Sequence, residues 1–387
     1  MKKLTCVWRS MHAHCSSLFC LQNVFNIENV VHVRGMQPLT PDVRRPRTRA
    51  QKTTGIVVKT MNDALGIAEP LERYGELPAC QIVGLYNAIH GLPTSSEHCR
   101  ARLGRLFHES EGIIPARKLL IRPSYQWRHG YNHQTMYRCA PGTGLFLFSA
   151  GVYAEPMMRW ASRTRIVPVG ESPNHEPSIH DTGLSFVMSS IEIGVRRTPG
   201  FRFLTHLDIV KNASREAQEA QSPFSIPFPE LAHTFPSGKQ VSLKDVRVEP
   251  DALFGVRYPP DDDPDFDFFA IEYDRSTEDI EPSANLTRSS WLRKILSYSA
   301  ISVGSRPIYQ TYLKVPVLSI LCLFSDTTRM AHAMELVARH TAVPEQFLFK
   351  TTSPIDPLTI RAPMQQLFSE PWQTIRGRRW INTSERR

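Results

Sequence analysis

The chain has 387 residues, 41% of them hydrophobic and 9% aromatic, with 46 Lys or Arg against 37 Asp or Glu and a formal charge of +9. That apolar content excludes wholesale disorder, and the length suffices for two domains that each bury a core. No window approaches the roughly 18 apolar residues of a membrane helix, and seven scattered cysteines without a Cys-x-x-Cys pair indicate neither a disulfide framework nor a zinc site.

Reduced thiols in a cytoplasmic setting are therefore expected. Met1-Lys2-Lys3 opens like a signal peptide, but Arg9, His12 and His14 interrupt any apolar core. Charge is unevenly spread: residues 1–60 carry ten Lys or Arg against two acids, 96–165 eleven against four, and 249–281 two arginines against twelve acids. A phosphate-gripping surface and an acidic, cation-holding or partner-holding region are expected in different parts of the molecule.

Residues 1–59 read as a basic arm in which Arg44, Arg45, Arg47 and Arg49 alternate with Pro41, Pro46 and Thr48; it is either a solvated tail or an arm along DNA phosphates. Residues 60–155 read as three helices and a wing. Leu65, Ala68, Leu71 and Leu77 fit a first helix and the turn beyond it, Gln81 to Ile89 a second, and Ser95 to Phe107 a third with capping chemistry at Thr94-Ser95-Ser96-Glu97. On the third helix Leu103, Leu106 and Phe107 form an inward stripe, which leaves Arg100, Arg102 and Arg105 for solvent or a groove. Gly112 to Pro115, Arg117-Lys118 and Gln134 to Arg138 suggest a two-stranded wing. In a helix-turn-helix of this kind the last helix enters the major groove and the wing lies on the backbone; the alternative is a protein-interaction module.

Residues 156–170 read as a linker, in a stretch irregular through Pro177. His180-Asp181 opens a helix to Gly194, with Asp181 as its cap. Gln218 to Ser237, with four prolines, reads as a loop rather than a strand. Val246 to Glu249 enters a Pro250-Asp251 corner, and Ala252 to Val256 continues as a strand. After a solvated acidic turn, Phe266 to Ile271 forms a strand ending in Glu272-Tyr273-Asp274-Arg275, with Glu272 and Asp274 on one face. A helix from about Leu286 to Ala300 sets Lys294 and Tyr298 one turn apart. Val315 to Phe324 (strand), Thr327 to His340 (helix) and Phe347 to Lys350 (strand) complete an α/β unit over 171–352, and 353–387 is an extension with a loose basic tail. The lone histidines carry no motif.

Asp251, Glu272 and Asp274 are candidate ligands of Mg²⁺, a hard cation usually held by one or two carboxylates plus phosphate and water. With Lys294 and Tyr298 they form the candidate catalytic set, in which the lysine orients water or neutralises phosphate charge. The alternative is structural: Asp251 caps a turn, and Glu272 and Asp274 pair with Arg275, Arg293 or Lys294. The order of these elements resembles the PD-(D/E)XK restriction-endonuclease-like core. Pro250-Asp251-Ala252-Leu253-Phe254 followed by Phe269 to Glu278, behind the winged first half, is similar to the bacterial replication-relaxation family over roughly residues 60–350.

The resemblance implies an α/β (α+β) chain: an N-terminal winged helix-turn-helix followed by a nuclease-like α/β domain, in which Glu192 near the end of the first helix reaches the acidic site. It also implies a role in plasmid replication and DNA relaxation on double-stranded DNA. The chain departs from the nuclease motif by placing Asp274 where lysine stands, with Lys294 as a migrated replacement. The expected function is therefore DNA binding in plasmid or mobile-element replication or mobilisation, alongside other such proteins and with Mg²⁺-dependent nicking; the alternative is a non-catalytic regulator or accessory factor whose second domain is a pseudo-nuclease.

Overall fold

The computed structural model describes residues 53–54, 64–91, 96–107, 109–110, 119–129, 134–164, 178–259, 265–356 and 359–383. Arg117, Lys118 and the Gly112–Pro115 stretch of the expected wing lie outside these, as do nearly all of the basic arm and the Asp261–Asp263 acidic turn. The chain is mixed α/β, with twelve α-helices and a mixed sheet among the described residues.

In the first half β1 (Thr53–Thr54) is followed by a π-helical turn, Ala64–Ala68, that runs into α1 (Glu69–Tyr74). Pro70 sits in the first turn of α1, where its missing N–H leaves no helical bond unmade. Gly75, at φ 83°, stops the helix. Leu77 therefore lies in a strand, β2 (Glu76–Pro78), before α2 (Ala79–His90) and α3 (Ser96–Phe107). Then come β3 (Glu109–Ser110), β4 (Leu120–Ile121), β5 (Met136–Cys139), α4 (Thr143–Ser149) and α5 (Glu155–Thr164). β5 lies between β2 and β4, antiparallel to both. The helical period of α3 buries Cys99, Leu103, Leu106 and Phe107 and exposes Arg100 and Arg105. The stretch expected to be irregular from Pro156 is helical to Thr164, with Pro156 in the tolerated first turn.

The second half opens with α6 (Ile179–Arg197), β6 (Arg202–Leu204), α7 (His206–Asn212) and α8 (Arg215–Glu219). The cap of α6 is Ser178, whose hydroxyl accepts from the Asp181 N–H at 3.1 Å, so Asp181 is not the cap. β7 (Ile226–Thr234) and β8 (Gln240–Val248) form a separate hairpin where a loop was expected. Its prolines are accommodated because a two-stranded sheet consists entirely of edges; Pro229 falls at a gap in an otherwise continuous register, opposite Asp245 at φ 51°.

After the Pro250-Asp251 corner come β9 (Ala252–Tyr258), β10 (Asp265–Asp274), α9 (Trp291–Ser302), α10 (Ile308–Tyr312), β11 (Ser319–Phe324), α11 (Thr327–His340), β12 (Phe347–Thr351), α12 (Gln366–Ser369), β13 (Trp372–Gln373) and β14 (Arg378–Arg379). The sheet order is β14-β13-β12-β11-β10-β9-β6. β10 is antiparallel to β9 and parallel to β11, with Glu272 opposite Cys322. Every residue of β11 is buried, as expected of a strand covered on both faces. α9 starts at Trp291 rather than Leu286, because the Ser290 hydroxyl caps it at the Arg293 N–H. The basic tail is not loose through Thr383: Ile381 is buried, and its carbonyl accepts from the Tyr258 hydroxyl. No helix among the described residues is long and apolar enough to cross a membrane.

α6 packs on α2, and a buried ionic cluster ties it to α1. Arg73 donates to both oxygens of Glu192, at 3.0 and 3.1 Å; Tyr74 donates to the same carboxylate, and Arg196 adds a contact at 2.7 Å. Glu192 is thus fully buried here and does not reach the acidic site expected for it. Burial alone would raise its carboxyl, but the Arg73 and Arg196 charges reverse this and hold it at about 2. His206, beside the cluster, is pushed down to about 3, chiefly by burial. Between roughly pH 6.5 and 3 the unfolded chain binds a proton at His206 that the native state refuses, so stability falls as pH drops through that window. Urea denaturation at pH 7, 6, 5 and 4 should show a shallower acid loss for His206→Leu than for the parent, by up to about 1.4 kcal/mol per pH unit. Parallel curves would mean that His206 titrates normally.

Candidate functional site

The Pro250-Asp251 corner joins β8 to β9 and fixes Asp251 at the end of the β9–β10 ladder. Its N–H donates to the Ile271 carbonyl at 3.0 Å, and its Oδ2 accepts from the Tyr273 N–H at 2.8 Å. One residue back on β10, Glu272 is 1% exposed. Its Oε1 accepts from the Tyr298 hydroxyl at 2.6 Å. Lys294 Nζ lies 2.8 Å from Glu272 Oε2 as an ion pair without hydrogen-bond alignment, and 3.1 Å from Glu278 Oε2. The Ser290 cap sets the phase of α9, so Lys294 and Tyr298, four residues apart, reach the same carboxylate.

The electrostatics are those of three acids crowded around the Lys294 ammonium. Burial first, and then the Asp251 charge, push Glu272 up to about 7 against the opposing Lys294 charge. Burial lowers the Lys294 ammonium, but Glu272, Asp251 and Glu278 together raise it well above the usual range. Asp251, pushed up by burial, is carried below its usual value by the His180 hydrogen bond and the Lys294 charge.

Asp274 shares a strand face with Glu272 but is otherwise engaged. Arg329 binds both of its oxygens, at 2.8 and 3.0 Å, and also donates to the Glu278 carbonyl at 2.7 Å. Of the expected partners only Lys294 meets Glu272; Arg293 donates to the Thr287 carbonyl instead. Arg329 was legible in principle: parallel β10 and β11 end on the same side, so the first turn of α11 stands beside Asp274.

His180, at the start of α6, was missed. Its Nε2 lies 3.4 Å from Asp251 Oδ2 and 3.2 Å from the Tyr273 carbonyl, and its Nδ1 lies 3.3 Å from Asp181 Oδ1. Hydrogen bonds first to Asp181 and then to Asp251 raise its imidazole to about 10, so it carries a positive charge at neutral pH. Nothing local in the sequence signals this contact, which depends on where α6 crosses the end of β10.

Among the described residues no group of three or more His, Cys, Asp or Glu side chains converges as a metal-binding set. Asp251 and Glu272 nevertheless suit a hard cation. They offer oxygen donors only, the Asp251 charge bears on Glu272, and one or two carboxylates are the usual protein share for Mg²⁺. Asp274 is the poorer candidate, because Arg329 binds both of its oxygens in aligned hydrogen bonds, whereas Glu272 Oε2 meets only the unaligned Lys294 ion pair. Of the candidate DNA contacts, Arg100 and Arg105 are exposed, whereas Arg102 is half-buried with its guanidinium 5.2 Å over the Tyr86 ring. No family model, no curated protein and no solved structure matches this chain.

Proposed function

We propose that the chain is a DNA-binding protein of plasmid or mobile-element replication and mobilisation that grips double-stranded DNA with its first half and nicks it with Mg²⁺ in its second. The observation that carries the reading is Glu272, buried on the central strand beside Asp251 and held by Lys294 and Tyr298. Support for a winged helix comes from the order α1, β2, α2, α3, β4, β5 with β5 central in its sheet. Support for a nuclease-like core comes from α6 followed by the antiparallel β6, β9 and β10, then α9, then β11 parallel to β10.

Asp251 and Glu272 would hold the ion, which supplies phosphate polarisation and a water of lowered pKa. Lys294 contributes a cation for the phosphate charge that builds up during cleavage, and Tyr298 fixes the orientation of Glu272. A second reading rests on Asp274: with Arg329 occupying it, the second half serves as a non-catalytic platform for other replication or mobilisation proteins.

The DNA assignment is tested by gel shift across a salt series. Each phosphate contact contributes roughly 0.9 to the slope of log affinity against log salt. The Arg100→Ala/Arg105→Ala double variant should therefore bind more weakly, with a slope shallower by about 2. An unchanged slope would remove α3 from the DNA interface.

A further inference from the structure

We infer that His180 is a positioning residue of the acidic site: it fixes the Asp251 carboxylate through Oδ2, leaving Oδ1 as the oxygen turned toward cation and phosphate. The inference rests on the proposed reading of that site. Two contacts on the Asp251 carboxylate fall on one oxygen, which accepts from the Tyr273 N–H at 2.8 Å and lies 3.4 Å from His180 Nε2 as an ion-pair contact. A carboxylate held from one side in this way presents its second oxygen without rotating, and outer partners of metal ligands typically contribute 10–100-fold to affinity, as an order of magnitude.

The imidazole is itself held on three sides. Asp181 faces Nδ1, the Tyr273 carbonyl faces Nε2 at 3.2 Å, and the Tyr273 ring stacks against it at 5.5 Å and 29°. The approach of α6 to that ring depends on Gly183, where an added Cβ would stand 2.9 Å from the Tyr273 Cε1. α6 is anchored near its far end by Arg73, which grips Glu192 with two hydrogen bonds. Sequence order separates His180 from Asp251 by β6, two short helices and the β7–β8 hairpin, yet four elements converge to place it: α6, the β8–β9 corner, β10 and, through Glu192, α1.

The test is Mn²⁺ binding, followed by electron paramagnetic resonance on the full chain, with thermal unfolding run on each variant to establish that it folds. His180→Ala should weaken Mn²⁺ affinity by about 10–100-fold, and His180→Gln, whose amide nitrogen reaches the position of Nε2, should recover most of the loss. A merely structural role would leave the affinity of folded His180→Ala unchanged. That result, or a glutamine variant as weak as alanine, overturns the inference. A parent chain that binds no Mn²⁺ overturns the cation-site reading and the inference with it.

Discussion

Replacing Arg73 by alanine is expected to destabilise the fold by about 3–5 kcal/mol, the usual cost of leaving a buried charge without its partner. Arg73 and Glu192 are both fully buried, and the guanidinium meets the carboxylate through two bonds, so no water stands ready to replace it. Arg196 alone cannot compensate, because it reaches only one oxygen and is itself partly exposed. The comparison that isolates the charge is Arg73→Met with Glu192→Leu. Exchanging a buried pair for apolar residues of similar size is often neutral, so the double variant should recover part of the loss, the remainder staying with Glu69, which also pairs with Arg73 at 2.5 Å. Equilibrium urea denaturation at pH 7 reads both. A single variant within about 0.5 kcal/mol of the parent, the range of ordinary surface substitutions, would show that the cluster does not hold α1 to α6.

The second large effect belongs to Lys294→Ala. The substitution leaves Glu272, Asp251 and Glu278 without the cation they share, and a loss of about 3 kcal/mol is expected near pH 8. The sign with pH follows from Glu272. Its carboxyl is already raised to about 7 by burial and by Asp251, and Lys294 is the main group lowering it. Without the lysine Glu272 takes up a proton more readily, so the loss should shrink as pH falls from 8 toward 6. Adding Glu272→Gln to Lys294→Ala should remove most of the pH dependence. DNA affinity should stay near that of the parent, since the exposed arginines of α3 lie on another element. Full stability of Lys294→Ala at pH 8 would make the ion pair incidental.

Much of the second half was legible because its signals are local. The apolar period of Thr327 to His340 marks α11 residue for residue, and the Pro-Asp corner marks the turn before β9. The four-residue spacing of Lys294 and Tyr298 puts both on Glu272. What was not legible depends on partners distant in sequence. Pro227 and Pro229 argue locally against a strand, and only the edge position of β7 against β8 tolerates them. Asp274 looks equivalent to Glu272 along the strand, but the first turn of α11 neutralises one and α9 the other. Glu192 sits on the helix expected to feed the site, yet Arg73 of α1 captures it with two hydrogen bonds. His180 carries no motif and acquires its position from the crossing of α6 over β10.

The account stands most directly on one assay: supercoiled plasmid incubated with parent or Asp251→Asn protein, with and without Mg²⁺, and resolved by agarose gel. The parent should convert the plasmid to open circle only when Mg²⁺ is present, and Asp251→Asn, which should still shift DNA, should not. A parent that leaves the plasmid supercoiled, or an Asp251→Asn protein that nicks it as well as the parent, would contradict it.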